Sequence, residues 1–197
     1  MGGFDAPKQQ PIPVRYYDDT NAHFPMFNQD ARMKAKFYKM LSHRVSDAPL
    51  LGWIDGNVQV KKDLGMLEAM GSADIVISRH PTRNTATEEA NFILRELHKD
   101  NIYLAKRYDY YTIAKEIESI PVPWRTNGLY WCGLFLRRNN PKVNAAFEDW
   151  FMENVLWSTF DQNSFVKIIH KYELKVATVD WGPFYDNNYY SLVKHRK

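Results

Sequence analysis

The apolar run Leu50-Leu51-Gly52-Trp53-Ile54 ends in Asp55-Gly56-Asn57. A strand that delivers a carboxylate and an amide to a loop tip offers oxygen ligands to a hard divalent cation. Such cations often take only one or two protein carboxylates beside a substrate's phosphates. A cation held at Asp55 would neutralise a departing diphosphate. The same residues also suit a plain Asp-Gly turn between strands, which needs no ligand. A second candidate is Arg79-His80-Pro81-Thr82-Arg83, followed by Glu88-Glu89. Arginine forks pair with phosphate or carboxylate, and Glu89 could hold Arg83 or a ligand hydroxyl. The alternative is a solvated helix start carrying ordinary surface charges.

Three further features could do chemistry. Arg32, Lys36 and Lys39 stand at i, i+4 and i+7, so a helix would present them on one face, toward a diphosphate or toward solvent. Asp161, with Gln162 behind it, opens a helical stretch, where it could cap the helix or accept a proton from a hydroxyl. His195, in the terminal Lys194-His195-Arg196, is a possible metal ligand from the tail. Cys132 is the only cysteine, so neither an intramolecular disulfide nor a cysteine-based zinc cage can form. That usage suits a reducing compartment. No leader pattern opens the sequence and no apolar run approaches the ~20 residues of a bilayer span, so the chain reads as cytoplasmic with no membrane insertion.

These residues need elements to position them. Apolar residues at Met33, Phe37, Met40 and Leu41 predict a helix over 30–44. Strands are expected at 14–17, 50–54, 73–78, 129–136 and 174–179, with a short continuation at 58–60. Helices are expected at 63–70, 87–99, 102–117, 141–157 and 162–172, the second opened by a Thr85/Glu88 capping box. Residues 1–13 read as an irregular lead-in, and 181–197 as a tail without clear period. Alternating strands and helices predict one α/β domain over 1–197, with a mixed, mostly parallel sheet flanked by helices. Ligands of such sheets sit at the carboxyl ends of strands. Asp55, His80 and Arg83 all follow strands and are expected on one rim. Aromatics make up 15% of the 197 residues, either as core or as docking faces for sugar and base rings. The net charge of +3 is compatible with a phosphate-bearing ligand but lacks the strong basic stripe of a dedicated nucleic-acid binder.

Six segments in order resemble a glycosyltransferase-like family that includes plant mucilage-related proteins and many bacterial and phage proteins. They are Gly3-Phe4-Asp5, Arg32 to Lys39, Trp53-Ile54-Asp55-Gly56-Asn57, His80-Pro81-Thr82-Arg83 with Glu89-Ala90, Gly133 to Arg138, and Phe151 with Asp161-Gln162-Asn163-Ser164-Phe165. The resemblance implies a GT-A (Rossmann-like) fold and transfer of a sugar from a nucleotide-sugar, a UDP-sugar above others, to a hydroxyl acceptor. It also implies a Mn²⁺ or Mg²⁺ ion on Asp55, Asn57 and His195. Arg32 and Lys36, with Gly56, His80 and Arg83, would surround the donor, and Asp161 and Gln162 would meet the sugar and acceptor. Asp161 is the candidate base if the reaction inverts; if it retains, Asp161 and Gln162 orient donor and acceptor. Two readings stay beside this one. One is a non-catalytic carbohydrate- or protein-binding module on a degenerate GT-A scaffold, suggested by the absence of the family's apolar first strand ahead of Gly3. The other is a phage-type transferase acting on modified DNA bases, suggested by the mild positive charge.

Overall fold

Four strands form the central sheet, in the order β1 (Leu50–Ile54), β4 (Tyr130–Arg138), β3 (Ile75–Arg79) and β5 (Val176–Thr178). The computed structural model describes Arg15, Tyr17 and residues 31–193. The lead-in with Gly3-Phe4-Asp5, His195, and Val14 and Tyr16 of the strand expected at 14–17 lie outside the described residues, and Arg15 and Tyr17 carry no strand assignment. β4 is antiparallel to both β1 and β3, while β3 and β5 are parallel. Three of the four strands therefore point the same way. Their carboxyl ends share one edge with the start of β4, which puts Asp55 and His80 on a common rim, as expected.

Period-two alternation divides the sheet between two cores. Ile75, Ile77 and Phe135 face α1 (Ala31–Met40), α7 (Pro141–Leu156) and α8 (Asp161–Lys171), where they meet Met33, Phe37, Phe147, Trp150 and Phe165. Val76 and Leu134 face the other way, onto α2 (Met66–Met70) and a small second sheet made of β2 (Val58–Val60) and β6 (Tyr190–Leu192). The alternation slips at Gly133. Trp131 and Leu134 share the second core although they are three residues apart, and the β3–β4 register jumps from Ile77↔Phe135 to Ser78↔Trp131. Gly133 permits this slip, because a Cβ there would lie 2.6 Å from Trp131 Cε2.

Local chemistry accounts for most element boundaries. Asn140 caps α7 through Val143 N at 3.0 Å, with Pro141 in the first turn where its missing N–H costs nothing. The capping box opens α3 (Ala86–His98): Thr85 Oγ1 accepts from Glu88 N at 3.1 Å, and Glu88 Oε2 from Asn84 N at 2.7 Å. The helix expected over 102–117 is two helices, α4 (Ile102–Ala105) and α5 (Tyr110–Glu118). Asn101 caps the first and Asp109 the second, each accepting from the amide three residues on. α6 (Val122–Arg125) follows Pro121. The tail read as lacking period supplies β6, which pairs with β2 and brings Tyr190 and Trp181 into the second core.

Candidate functional site

The turn after β1 is hydrogen-bonded, with Val58 N donating to Asp55 O at 2.9 Å. It does not form a hairpin, because β1 and β2 belong to different sheets. The turn therefore marks the point where the chain leaves the central sheet, and it leaves Asp55 at the rim with its side chain 40% exposed. The backbone is anchored by Asp55 N donating to Gly133 O at 2.8 Å. Trp53, two residues earlier, shares the strand face of Asp55, and its Nε1–H donates to Asp55 Oδ1 at 2.5 Å. On the other side of the turn, Asn57 O accepts from Val193 N at 2.7 Å, so the end of the described chain clamps the loop tip.

Asp55 faces the same helices as Trp53, and α1 supplies it with a cation. Lys39 Nζ lies 3.6 Å from Asp55 Oδ1, 2.5 Å from Asp161 Oδ2, and over the Trp53 ring at 5.9 Å from its centroid. Lys36 Nζ pairs with the same Asp161 oxygen. Lys39 is 4% exposed and Asp161 is 8% exposed, so this is a buried charge cluster rather than a surface bridge. Burial alone would favour neutral Asp161, but the two ammonium groups outweigh it and hold the carboxylate well below its usual range. Burial opposes the Lys39 charge too; Asp161 and Asp55 overcome it and hold the ammonium above its ordinary value. Burial prevails at Lys36, whose affinity for its proton falls below the ordinary lysine range although Asp161 opposes this.

Asp161 does not cap α8. Phe160 occupies the cap position without a side-chain hydrogen bond, and the Asp161 carboxylate points to the lysines instead. Its backbone is fixed by Trp150 Nε1 donating to Asp161 O at 3.1 Å. Gln162 sits half-buried beside it. Arg32, two turns before Lys39, reaches a different partner, donating to the carbonyls of Arg107 and Lys106 at 3.2 and 3.1 Å. The shared face expected for Arg32, Lys36 and Lys39 thus divides, with the two lysines turned inward and the arginine bracing the joint between α4 and α5.

His80 and Arg83 form a second group on the rim. Arg83 Nε pairs with Glu89, which is 3% exposed. His80 Nδ1 accepts from Thr82 N at 3.3 Å and Arg83 N at 3.1 Å. Its Nε2 lies 3.4 Å from an Arg83 guanidinium nitrogen and 3.8 Å from Glu89 Oε2. Burial, aided by the Arg83 charge, pulls the His80 pKa down to about 4. Glu89 was legible as a partner for Arg83. The Trp53 indole was not singled out as a partner of Asp55, and Lys36 and Lys39 were read toward a diphosphate or solvent rather than toward Asp161, although Lys36 lies one helical turn from both Met33 and Met40 and so borders the buried stripe.

The side-chain oxygens that the turn after β1 contains are the Asp55 carboxylate and the Asn57 amide. Among the described residues no group of three or more His, Cys, Asp or Glu side chains could hold a metal ion. That set fits a hard cation shared with a substrate's phosphates, and does not fit an all-protein cage. Cys132, in the same interior, is a buried thiol pushed well above its usual pKa by desolvation, and so is inert. No described helix is long and apolar enough to cross a membrane.

Residues 23–197 match the family model for the TOD1/MUCI70 glycosyltransferase-like domain, and the chain belongs to that family. No curated protein matches the chain. Among solved structures, it is similar to mouse xyloside xylosyltransferase 1 in its apo form, with 15% identity and a TM-score of 0.39 over 75% of this chain and 51% of that one. The chain thus spans about half the length of that structure.

Proposed function

We propose that this chain moves a sugar from a nucleotide-sugar, a UDP-sugar in the first instance, to the hydroxyl of an acceptor, with Asp55 carrying a divalent cation. The observation that carries the reading is the side-by-side placement of Asp55, held at the rim by Trp53, and the buried Lys36–Asp161–Lys39 cluster. When bound, Mn²⁺ or Mg²⁺ would act as a Lewis acid on the donor's diphosphate. Asp55 and Asn57 would supply its protein ligands. Val193, two residues before His195 in sequence, is bonded to Asn57, which supports His195 as a further ligand.

The remaining roles follow from charge. The two ammonium groups balance the Asp161 and Asp55 carboxylates, so a cation on Asp55 would leave net positive charge there to favour a developing negative charge on a leaving phosphate. Asp161 stays ionised and binds a proton weakly, so its lysine pairs favour an orienting role over that of a general base. Gln162, beside it, is assigned the acceptor or sugar hydroxyls. His80 and Arg83, fixed by Glu89, would bound the donor on the other side of the start of β4. Cytoplasmic placement belongs to this reading and rests on cysteine usage alone, a single thiol in 197 residues.

Release of UDP from a panel of UDP-sugars, with and without Mn²⁺, tests the proposal on wild type and Asp55→Asn. Turnover that needs the ion and disappears in the variant supports it. Turnover unaffected by Asp55→Asn would remove the cation from Asp55. Glycan binding without any turnover would favour a non-catalytic binding module.

A further inference from the structure

A groove of about 470 Å³ opens between the start of α1, the α4–α5 joint and the end of α7. That volume lies within the ~300–1,000 Å³ range of small-molecule sites. Its position ties it to the charge cluster. Ser158 and Thr159 line it and directly precede Phe160-Asp161, while Arg32 at its edge is one turn from Lys36. Tyr108, also in its wall, and Glu116, bonded to Ser158, both feel the Asp161 charge.

The lining combines two kinds of chemistry. Tyr108 and Trp157 supply aromatic surface, and Thr112, Asn154 and Ser158 supply polar groups. Asn154 is 3% exposed; its Nδ2 donates to Trp150 O at 3.0 Å and Ser164 Oγ at 3.3 Å, whereas its Oδ1 has no hydrogen-bond partner. That oxygen is itself closed to solvent, so Asn154 shapes the groove wall rather than its open surface. Ser158 is held in place, donating to Glu116 Oε2 at 2.6 Å and accepting from Phe160 N at 3.1 Å. The rim is cationic, with Lys106, with Arg107 lying over the Tyr103 ring, and with Arg32 bonded to the Lys106 and Arg107 carbonyls, against one carboxylate, Asp109, which already accepts from Thr112 N at 2.9 Å and Thr112 Oγ1 at 3.0 Å.

Aromatic faces beside amide and hydroxyl groups suit the apolar face and hydroxyl edge of a sugar ring. A rim with guanidinium groups suits a carboxylate. We propose that this groove is the acceptor subsite and that it takes a saccharide bearing carboxylate groups. This rests on the transferase reading above, which supplies the reason for an acceptor next to Asp161.

The test is direct binding of a hexuronic-acid tetrasaccharide and of its carboxyl-reduced counterpart to the full chain, measured by calorimetry. Wild type should bind the acidic form at least about tenfold more tightly than the reduced one, and the difference should shrink with salt. Arg107→Gln should bring the acidic form down to the level of the reduced one, and Trp157→Ala should weaken both. Equal binding of the two forms by wild type, binding unaltered in both variants, or no binding of either would overturn the assignment. UDP and Mn²⁺ binding measured on the same samples separates the two proposals. Nucleotide binding without saccharide binding sinks the groove alone. Saccharide binding without nucleotide binding sinks the transferase reading and leaves the groove as a saccharide site.

Discussion

Lys39 and Asp161, 122 residues apart, meet at 2.5 Å with almost no solvent around them. Removing one member of a buried pair leaves the other uncompensated, which typically costs about 3–5 kcal/mol. The cluster makes the cost asymmetric. Asp161→Asn leaves Lys36 without its carboxylate and Lys39 with only Asp55 at 3.6 Å, whereas Lys39→Met leaves Asp161 paired with Lys36. Chemical denaturation should therefore rank Asp161→Asn as the more destabilising change. Equal losses would mean that the lysines do not share this carboxylate.

Trp53→Phe keeps the ring beneath Lys39 and deletes the donor to Asp55 Oδ1. Residues that orient a metal ligand typically contribute about 10–100-fold to affinity. Titration of Mn²⁺ in the presence of UDP should show a loss of roughly tenfold for this variant with little change in melting temperature. Full retention of Mn²⁺ affinity would show that the indole does not orient the carboxylate.

Glu116 is 1% exposed, and burial pushes its pKa up to about 8 against the hydrogen bond from Ser158. The folded chain holds this proton where the unfolded chain, with an ordinary carboxyl near 4.5, has lost it. Stability from this group is therefore complete below about 4.5 and declines as pH rises toward about 8, on the order of 1 kcal/mol per pH unit. Glu116→Gln mimics the protonated acid and should flatten that slope, making the variant more stable than wild type at pH 8. A variant less stable than wild type at pH 8 would contradict this.

His80 acts in the opposite sense. Its folded pKa of about 4 lies below the ordinary 6.5, so the unfolded chain binds the extra proton between those values. Stability from His80 is complete above 6.5 and is lost as pH falls toward about 4. Between pH 6 and 4.5 the His80 and Glu116 slopes oppose each other. In the Glu116→Gln background, acidification should therefore destabilise more steeply than in wild type over this window. NMR titration of the His80 ring should give a midpoint well below 6.

Local patterns made much of the frame readable. Leu50–Ile54, the Thr85 capping box and the Pro141 helix start each depend on neighbours within a few residues, and each stands where the sequence puts it. Strand-then-helix order was enough to place Asp55 and His80 on one rim. Pairings that depend on distant residues were hidden. Spacing could show Lys36 and Lys39 on one helix face but not that Asp161 would claim both, and it made Asp161 look like a cap. β6 was missed because three residues at the end of an aromatic tail carry no period, and pairing with β2 alone makes them a strand. The division of the 102–117 helix was available in principle, since Asp109 with Thr112 three residues later is a capping signal.

The most direct test of the account is thermal unfolding of wild type and Asp55→Ala with UDP, Mn²⁺ or both. Ligands that bind the native state raise the melting temperature by mass action. The account predicts a shift in wild type that requires UDP and Mn²⁺ together and is absent from Asp55→Ala, whose unliganded melting temperature stays close to that of wild type. An equal shift in both proteins, or no shift with any nucleoside diphosphate, would contradict the assignment of Asp55 as the centre of a donor site.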